Sequence, residues 1–160
     1  MWTHAPIQGL AGQATFRLRN VKVDPTGVLS AIQIPKSDLL AACALEQLCM
    51  KLRDRGFSID HAETGQGPYA SCRCNMADAL LFLVLTREDG EQESAYELLV
   101  SAARKYERKL PFLSRQRTFP PSSNELSMWE ALHAAVSEGL VRDLGVEQLQ
   151  WSTQRCFAPA

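Results

Sequence analysis

Residues 60–74, "DHAETGQGPYASCRC", bring His61, Glu63, Cys72 and Cys74 within one short reach of chain. Imidazole, carboxylate and thiolate are the donors that hold zinc. A thiol beside an imidazole is also the pair used in nucleophilic catalysis. In an extended strand Cys72 and Cys74 project to one face, because side chains alternate with a period of two. If the chain turns through "TGQGP" with Glu63 paired near Pro68, His61 falls opposite Ala70 on that same face. His61, Cys72 and Cys74 then form a three-donor candidate metal site, with Asp60 projecting away. A structural zinc takes four donors, and no fourth stands nearby in sequence. The expected reading is therefore packing: Phe57, Ile59, Ala70, Cys72 and Cys74 form the apolar face of a hairpin with His61 at its rim. No metal and no cofactor is expected.

The other chemistry open to these residues is weaker. "His61-Ala62-Glu63" has the H-x-E spacing of the zinc nucleobase deaminases, in which the His holds the metal and the Glu moves protons. The Pro-Cys-x-x-Cys half is missing: the cysteines stand as Cys72-Arg73-Cys74, with no proline before them. A Cys–His nucleophile needs a cation or helix N-terminus to stabilise the thiolate. Mid-strand cysteines flanking Arg73, which points to the opposite face, lack that. No phosphate loop, dinucleotide fingerprint, nucleophile elbow or H-E-x-x-H zinc motif occurs. The reading leans away from an enzyme, with a small enzyme or metal protein centred on His61 and Cys72/Cys74 as the alternative.

The second chemically distinct stretch is "RKYERKLPFLSRQR", residues 104–117, with six bases against the single acid Glu107 and with Tyr106 and Phe112 interleaved. In a chain of net charge −1 this local asymmetry suits an acidic protein surface or, as a further alternative, a phosphate backbone. Phe112, Leu113 and Phe119 lie among polar residues and prolines outside any periodic pattern, as in loops that dock partners. The expected contacts are Arg104, Arg108, Phe112, Arg115 and Arg117. The function expected from these features is a non-catalytic protein-binding module: a regulatory adaptor, secretion chaperone or immunity-type protein.

Composition sets the outer bounds. With 160 residues, 46% apolar and 22% charged, the chain is an ordinary globular sequence able to bury a real core. Five cysteines, an odd number without disulfide-framework spacing, suit a reducing compartment. No apolar run approaches the ~20 residues that span a bilayer, and no basic-then-apolar leader opens the chain. The expected location is cytoplasmic, with no membrane partner.

The elements that must carry these residues follow from hydrophobic periodicity. Residues 1–12 show none and read as an irregular lead-in, leaving 13–160 as one domain. "ATFRLRNVKV" and "VLSAIQI" alternate around the "DPTG" turn, a hairpin with a phase change near Asn20. Ser37 to Arg55 reads as a helix with the stripe Ala41, Leu45, Leu48 and Leu52, ended by Gly56. "FSIDHAE" and "YASCRC" form the second hairpin. "ALLFLVLT" is apolar on both faces, a central strand. The stripe Ala95, Leu99, Ala102, Tyr106 and Leu110 predicts a helix over Glu91–Lys109. Ser122 and Glu125 have capping-box spacing for a third helix through Leu126, Trp129, Leu132 and Val136, stopped near Gly139. "EQLQWSTQRCF" is a last strand. The sum is an α+β chain: one compact, mostly antiparallel sheet of about five to six strands with about three helices, in the order ββαβββααβ.

Overall fold

The computed structural model describes residues 2–18, 36–60, 62–64, 69–76, 79–87, 95–107 and 118–152. Six strands form one sheet: β1 (Trp2–Arg17), β2 (Glu63–Thr64), β3 (Tyr69–Met76), β4 (Ala79–Arg87), β5 (Ala95–Glu107) and β6 (Glu147–Ser152). Their spatial order is β2-β3-β4-β5-β1-β6, and every pairing is antiparallel. Among the described residues two helices, α1 (Lys36–Asp54) and α2 (Ser123–Glu138), join the sheet in an α+β architecture, with a π-helical turn Gly139–Asp143 after α2. No helix among the described residues is long and apolar enough to cross a membrane.

Register explains which side chains make the core. Cys72, Leu83, Val100 and Gly12 stand side by side across β3, β4, β5 and β1. One row along, Ala70, Leu85, Leu98, Ala14 and Trp151 do the same and reach β6. Directly opposed residues share a face, so these rows define one side of the sheet, and on β3, β4 and β5 its residues are buried. Both helices pack there. In α1 the stripe Ala41, Leu45, Leu48 and Leu52 is buried, and in α2 Trp129, Leu132 and Val136 are buried. Burial of each leucine of this kind is worth roughly 1.5–3 kcal/mol.

The ends of the helices are fixed by local chemistry. α1 closes with Gly56 at φ +94°, where the Gly56 N–H donates to Arg53 O at 2.9 Å and the Phe57 N–H to Leu52 O at 3.1 Å. That double bond pattern needs a left-handed residue, which glycine supplies without strain. α2 opens with the expected capping box: Ser122 Oγ accepts from the Glu125 N–H, and Glu125 Oε1 accepts from the Ser122 N–H. It does not stop at Gly139. The backbone runs on through the π-helical turn, where the Leu144 N–H donates to Gly139 O at 3.0 Å. Gly139 has another reason to lack a side chain: a Cβ there would lie 2.9 Å from Leu48 Cδ1 of α1.

Three expectations are corrected. The lead-in 1–12 is not irregular, since β1 begins at Trp2. Its alternation is hidden by a register shift between Pro6 and Ala11 with Gly9 at φ +79°. Buried positions accordingly pass from Ala5 and Ile7 to Leu10, Ala14 and Phe16. The helix expected over 91–109 is instead strand β5, in which Tyr96, Leu98, Val100 and Ala102 are buried with a period of two. Among the described residues the helix count is therefore two, plus the π-helical turn. The "DPTG" turn, the strand 28–34 and the phase change near Asn20 lie outside the described residues.

Candidate functional site

The second hairpin forms, with a register different from the one expected. Glu63 pairs with Ser71 and Thr64 with Ala70, while Ile59 bridges Cys74. Cys72 and Cys74 share the buried face as expected, at 4% and 1% exposure. His61 lies outside the described residues, so the three-donor arrangement with Cys72 and Cys74 is not defined. Among the described residues no cluster of three His, Cys, Asp or Glu side chains has metal-holding geometry.

What the fold does bring to the cysteines is α1, packed directly on β3. Cys49 Sγ lies 3.1 Å from Cys72 Sγ, both buried. One turn earlier on α1, Glu46 is buried at 1% exposure. Its Oε1 accepts from Arg53 Nη1 and its Oε2 from the Ala62 N–H, each at 2.8 Å. Arg53 also donates to the carbonyls of Ile59 at 2.9 Å and Asp60 at 3.0 Å. The Glu46–Arg53 pair therefore ties the strap formed by Ile59, Asp60 and Ala62 to α1.

The electrostatics here oppose thiolate formation. The contact with Cys49, then burial, then the nearby Glu46 charge hold the Cys72 thiol well above the ordinary range. Burial pushes the Cys74 thiol up to about 11. Burial also works against the Arg53 cation, but its bond to Glu46 overrides that and raises its pKa. The cluster as it stands is a buried, close-set pair of cysteine sulfurs near the Glu46–Arg53 ion pair.

His133 is held elsewhere, on α2. Its ring centroid lies 4.1 Å from that of Trp151 and 6.3 Å from that of Trp129, and burial lowers its pKa. Trp151 Nε1 is buried without a hydrogen-bond partner among the described residues.

Of the expected contact residues, Arg108, Phe112, Arg115 and Arg117 lie outside the described residues. Arg104 is described, and its guanidinium has partners within the chain. It pairs with both carboxylate oxygens of Glu125, donates to Pro120 O at 3.2 Å and lies over the Phe119 ring, 4.7 Å from its centroid. Phe119 is in turn fixed to the edge of β1: its N–H donates to Pro6 O at 3.1 Å and its O accepts from the Gln8 N–H at 2.7 Å. Bonding to Arg104 draws the Glu125 carboxyl down to about 2. This knot fixes the chain on both sides of 108–117, at the end of β5 and at the start of α2.

The sheet face away from the helices is the remaining feature. Leu80, Phe82 and Val84 of β4 and Leu99 of β5 alternate with the core residues and so point to that side. They are only partly buried. Phe82 stands beside Ser101 and Val84 beside Leu99 in register. At one end of this side, Thr15, Arg17, Ala95, Gln148 and Gln150 help line an open recess of about 190 Å³.

Sequence reasoning missed Cys49, Glu46 and Arg53 as neighbours of the loaded stretch. One signal was present: Glu46 is a charge inside the apolar run "ACALEQLC" of α1, and a charge on a core-facing stripe requires a partner. Comparison with known proteins finds no matching family model, no matching curated protein and no matching solved structure.

Proposed function

We propose that the chain is a non-catalytic protein-binding module, a regulatory adaptor, secretion chaperone or immunity-type protein that works in the cytoplasm. The observation that carries this reading is the apolar row Leu80, Phe82, Val84 and Leu99 on the side of the sheet opposite both helices. Side chains of that kind, half-buried and rimmed by polar residues such as Gln13, Ser71 and Ser101, suit the apolar centre of a protein interface. The basic segment supplies the second element. Arg108, Phe112, Arg115 and Arg117 would meet an acidic partner surface, with Arg104 as the anchor that holds the segment's ends. The cytoplasmic placement draws on Cys43, Cys49, Cys72 and Cys74, all in the thiol form, which a reducing compartment preserves.

The test is quantitative capture of the partner from an extract of the native host, with the wild-type chain compared against two variants. Phe82→Ser and the triple change Arg108→Ala, Arg115→Ala, Arg117→Ala should each lower recovery about tenfold or more, the scale of losing one good interface contact. Both variants should keep a single cooperative melt; Phe82→Ser, which removes a half-buried ring, should lower the midpoint by no more than a few degrees. Recovery by both variants equal to that of the wild-type chain would refute the proposal. So would DNA or RNA retardation that the triple change alone abolishes, because that assigns the bases to phosphate binding.

A further inference from the structure

We propose that Cys49 and Cys72 form an oxidative modification site: a dithiol that a hydroperoxide closes to a disulfide, stapling α1 to β3. The geometry carries this. The two sulfurs already lie 3.1 Å apart, so closing to a bond of ~2.05 Å needs a movement of about 1 Å. They belong to two different elements that pack face to face, a strand in the middle of its pairing with β4 and a helix interior. Neither backbone has to unfold to bring the sulfurs together.

The chemistry balances with the peroxide as the only co-reactant. A thiolate sulfur attacks one peroxide oxygen, the O–O bond breaks, and the thiolate becomes a sulfenic acid while hydroxide leaves and is protonated to water. The second sulfur then displaces the sulfenic oxygen, which departs as water, and the S–S bond forms. In sum, two thiols lose two electrons and two protons, and one hydrogen peroxide becomes two waters. The thiols next door do not take part: Cys74 lies two residues along β3 with its backbone bridged to Ile59, and Cys43 lies on α1 nearly two turns before Cys49.

Both sulfurs are buried, at 0% and 4% exposure. Reaction with peroxide therefore follows local opening of the α1–β3 packing, and the rate is set by how often it opens. The product is a cross-link between positions separated by 23 residues, which restricts the unfolded chain and stabilises the folded one.

The experiment uses the full chain, reduced and freed of reductant, then treated with hydrogen peroxide. After denaturation and alkylation with N-ethylmaleimide, two of the five cysteines should be protected, and peptide mapping should join Cys49 to Cys72. The oxidised chain should melt roughly 5–10 °C higher than the reduced one, and a reductant should reverse both changes. Cys43→Ser and Cys74→Ser should leave the link intact, whereas Cys49→Ser and Cys72→Ser should remove it. A wild-type chain that keeps all thiols alkylatable after peroxide, or whose link maps to any other pair, overturns the proposal. That mapping is done on the wild type, so it stands even if a serine variant fails to fold.

Discussion

Replacing Glu46 by alanine gives the sharpest check on how Ile59, Asp60 and Ala62 are held. The Glu46 carboxylate, 1% exposed, is the acceptor for the Ala62 N–H at 2.8 Å and for Arg53 at 2.8 Å. Its removal strips the buried Ala62 N–H of that acceptor, a loss of ~1–3 kcal/mol. Arg53 is partly exposed, 26% by side chain, so water takes up most of its lost pairing and it adds no more than ~1 kcal/mol. Together Glu46→Ala should destabilise the chain by about 2–3 kcal/mol, lowering the thermal midpoint by roughly 5–10 °C at this chain length. Glu46→Gln keeps an amide oxygen for the Ala62 N–H and should recover about half of the loss. Two readouts separate this from general softening: a urea titration for global stability, and hydrogen exchange at the Ala62 amide for the strap. The expected pattern is a drop in both, with Ala62 exchange accelerated by at least as much as the global figure requires. A midpoint within ~1 °C of wild type, or Ala62 protection unchanged, would show that the clip does not hold Ile59, Asp60 and Ala62 and would refute the argument.

The other predictions test packing, sidedness and charge. Gly139→Ala puts a Cβ 2.9 Å from Leu48 Cδ1 and should cost about 1–3 kcal/mol despite alanine's better helix propensity; denaturant midpoints check it, and Leu48→Ala should relieve part of that cost in a double-mutant cycle. Leu83→Ala on the covered face should cost ~2–5 kcal/mol, whereas Val84→Ala on the opposite face should cost under ~1 kcal/mol; equal costs by urea unfolding would mean both faces are packed alike. Glu125 titrates at about 2 when folded against an ordinary 4.5, a depressed carboxyl. Its stabilisation is thus fully present above about pH 4.5 and lost as pH falls toward 2. Glu125→Gln should flatten that part of the melting-temperature profile against pH.

Much of this fold can be read directly from the sequence, and the parts that cannot share a cause. α1 shows because its stripe has a period of 3.6 and its end carries Gly56. α2 shows because Ser122 and Glu125 announce its start through bonds made within three residues. β5 misleads because "AYELLVSAARKYE" satisfies both periods: Ala95, Leu99 and Ala102 fit a helix, while Tyr96, Leu98, Val100 and Ala102 fit a strand. The choice is made by β4 and β1, which each need a neighbour, and that need is invisible in a local window. The first part of β1, residues 2–12, escaped notice because the register shift beside Gly9 moves its inward positions from odd to even numbers. The thiol pair escaped for a different reason: Cys49 and Cys72 meet only because α1 lies down on β3, and helix placement on a sheet leaves no spacing rule behind.

The position of β1 between β5 and β6 also governs how the chain must be made. Trp2 pairs with Glu107 and Gln13 with Ser152, so β1 leaves the ribosome well before either neighbour and cannot pair until each of them has been synthesised. Throughout that wait Ile7, Leu10 and Phe16 have no sheet to enter and are open to capture by general holdases. Pairings this distant in sequence also make folding slow. Moving β1 to follow β5, by joining the present ends and cutting between α1 and β2, should shorten that wait and speed refolding from urea.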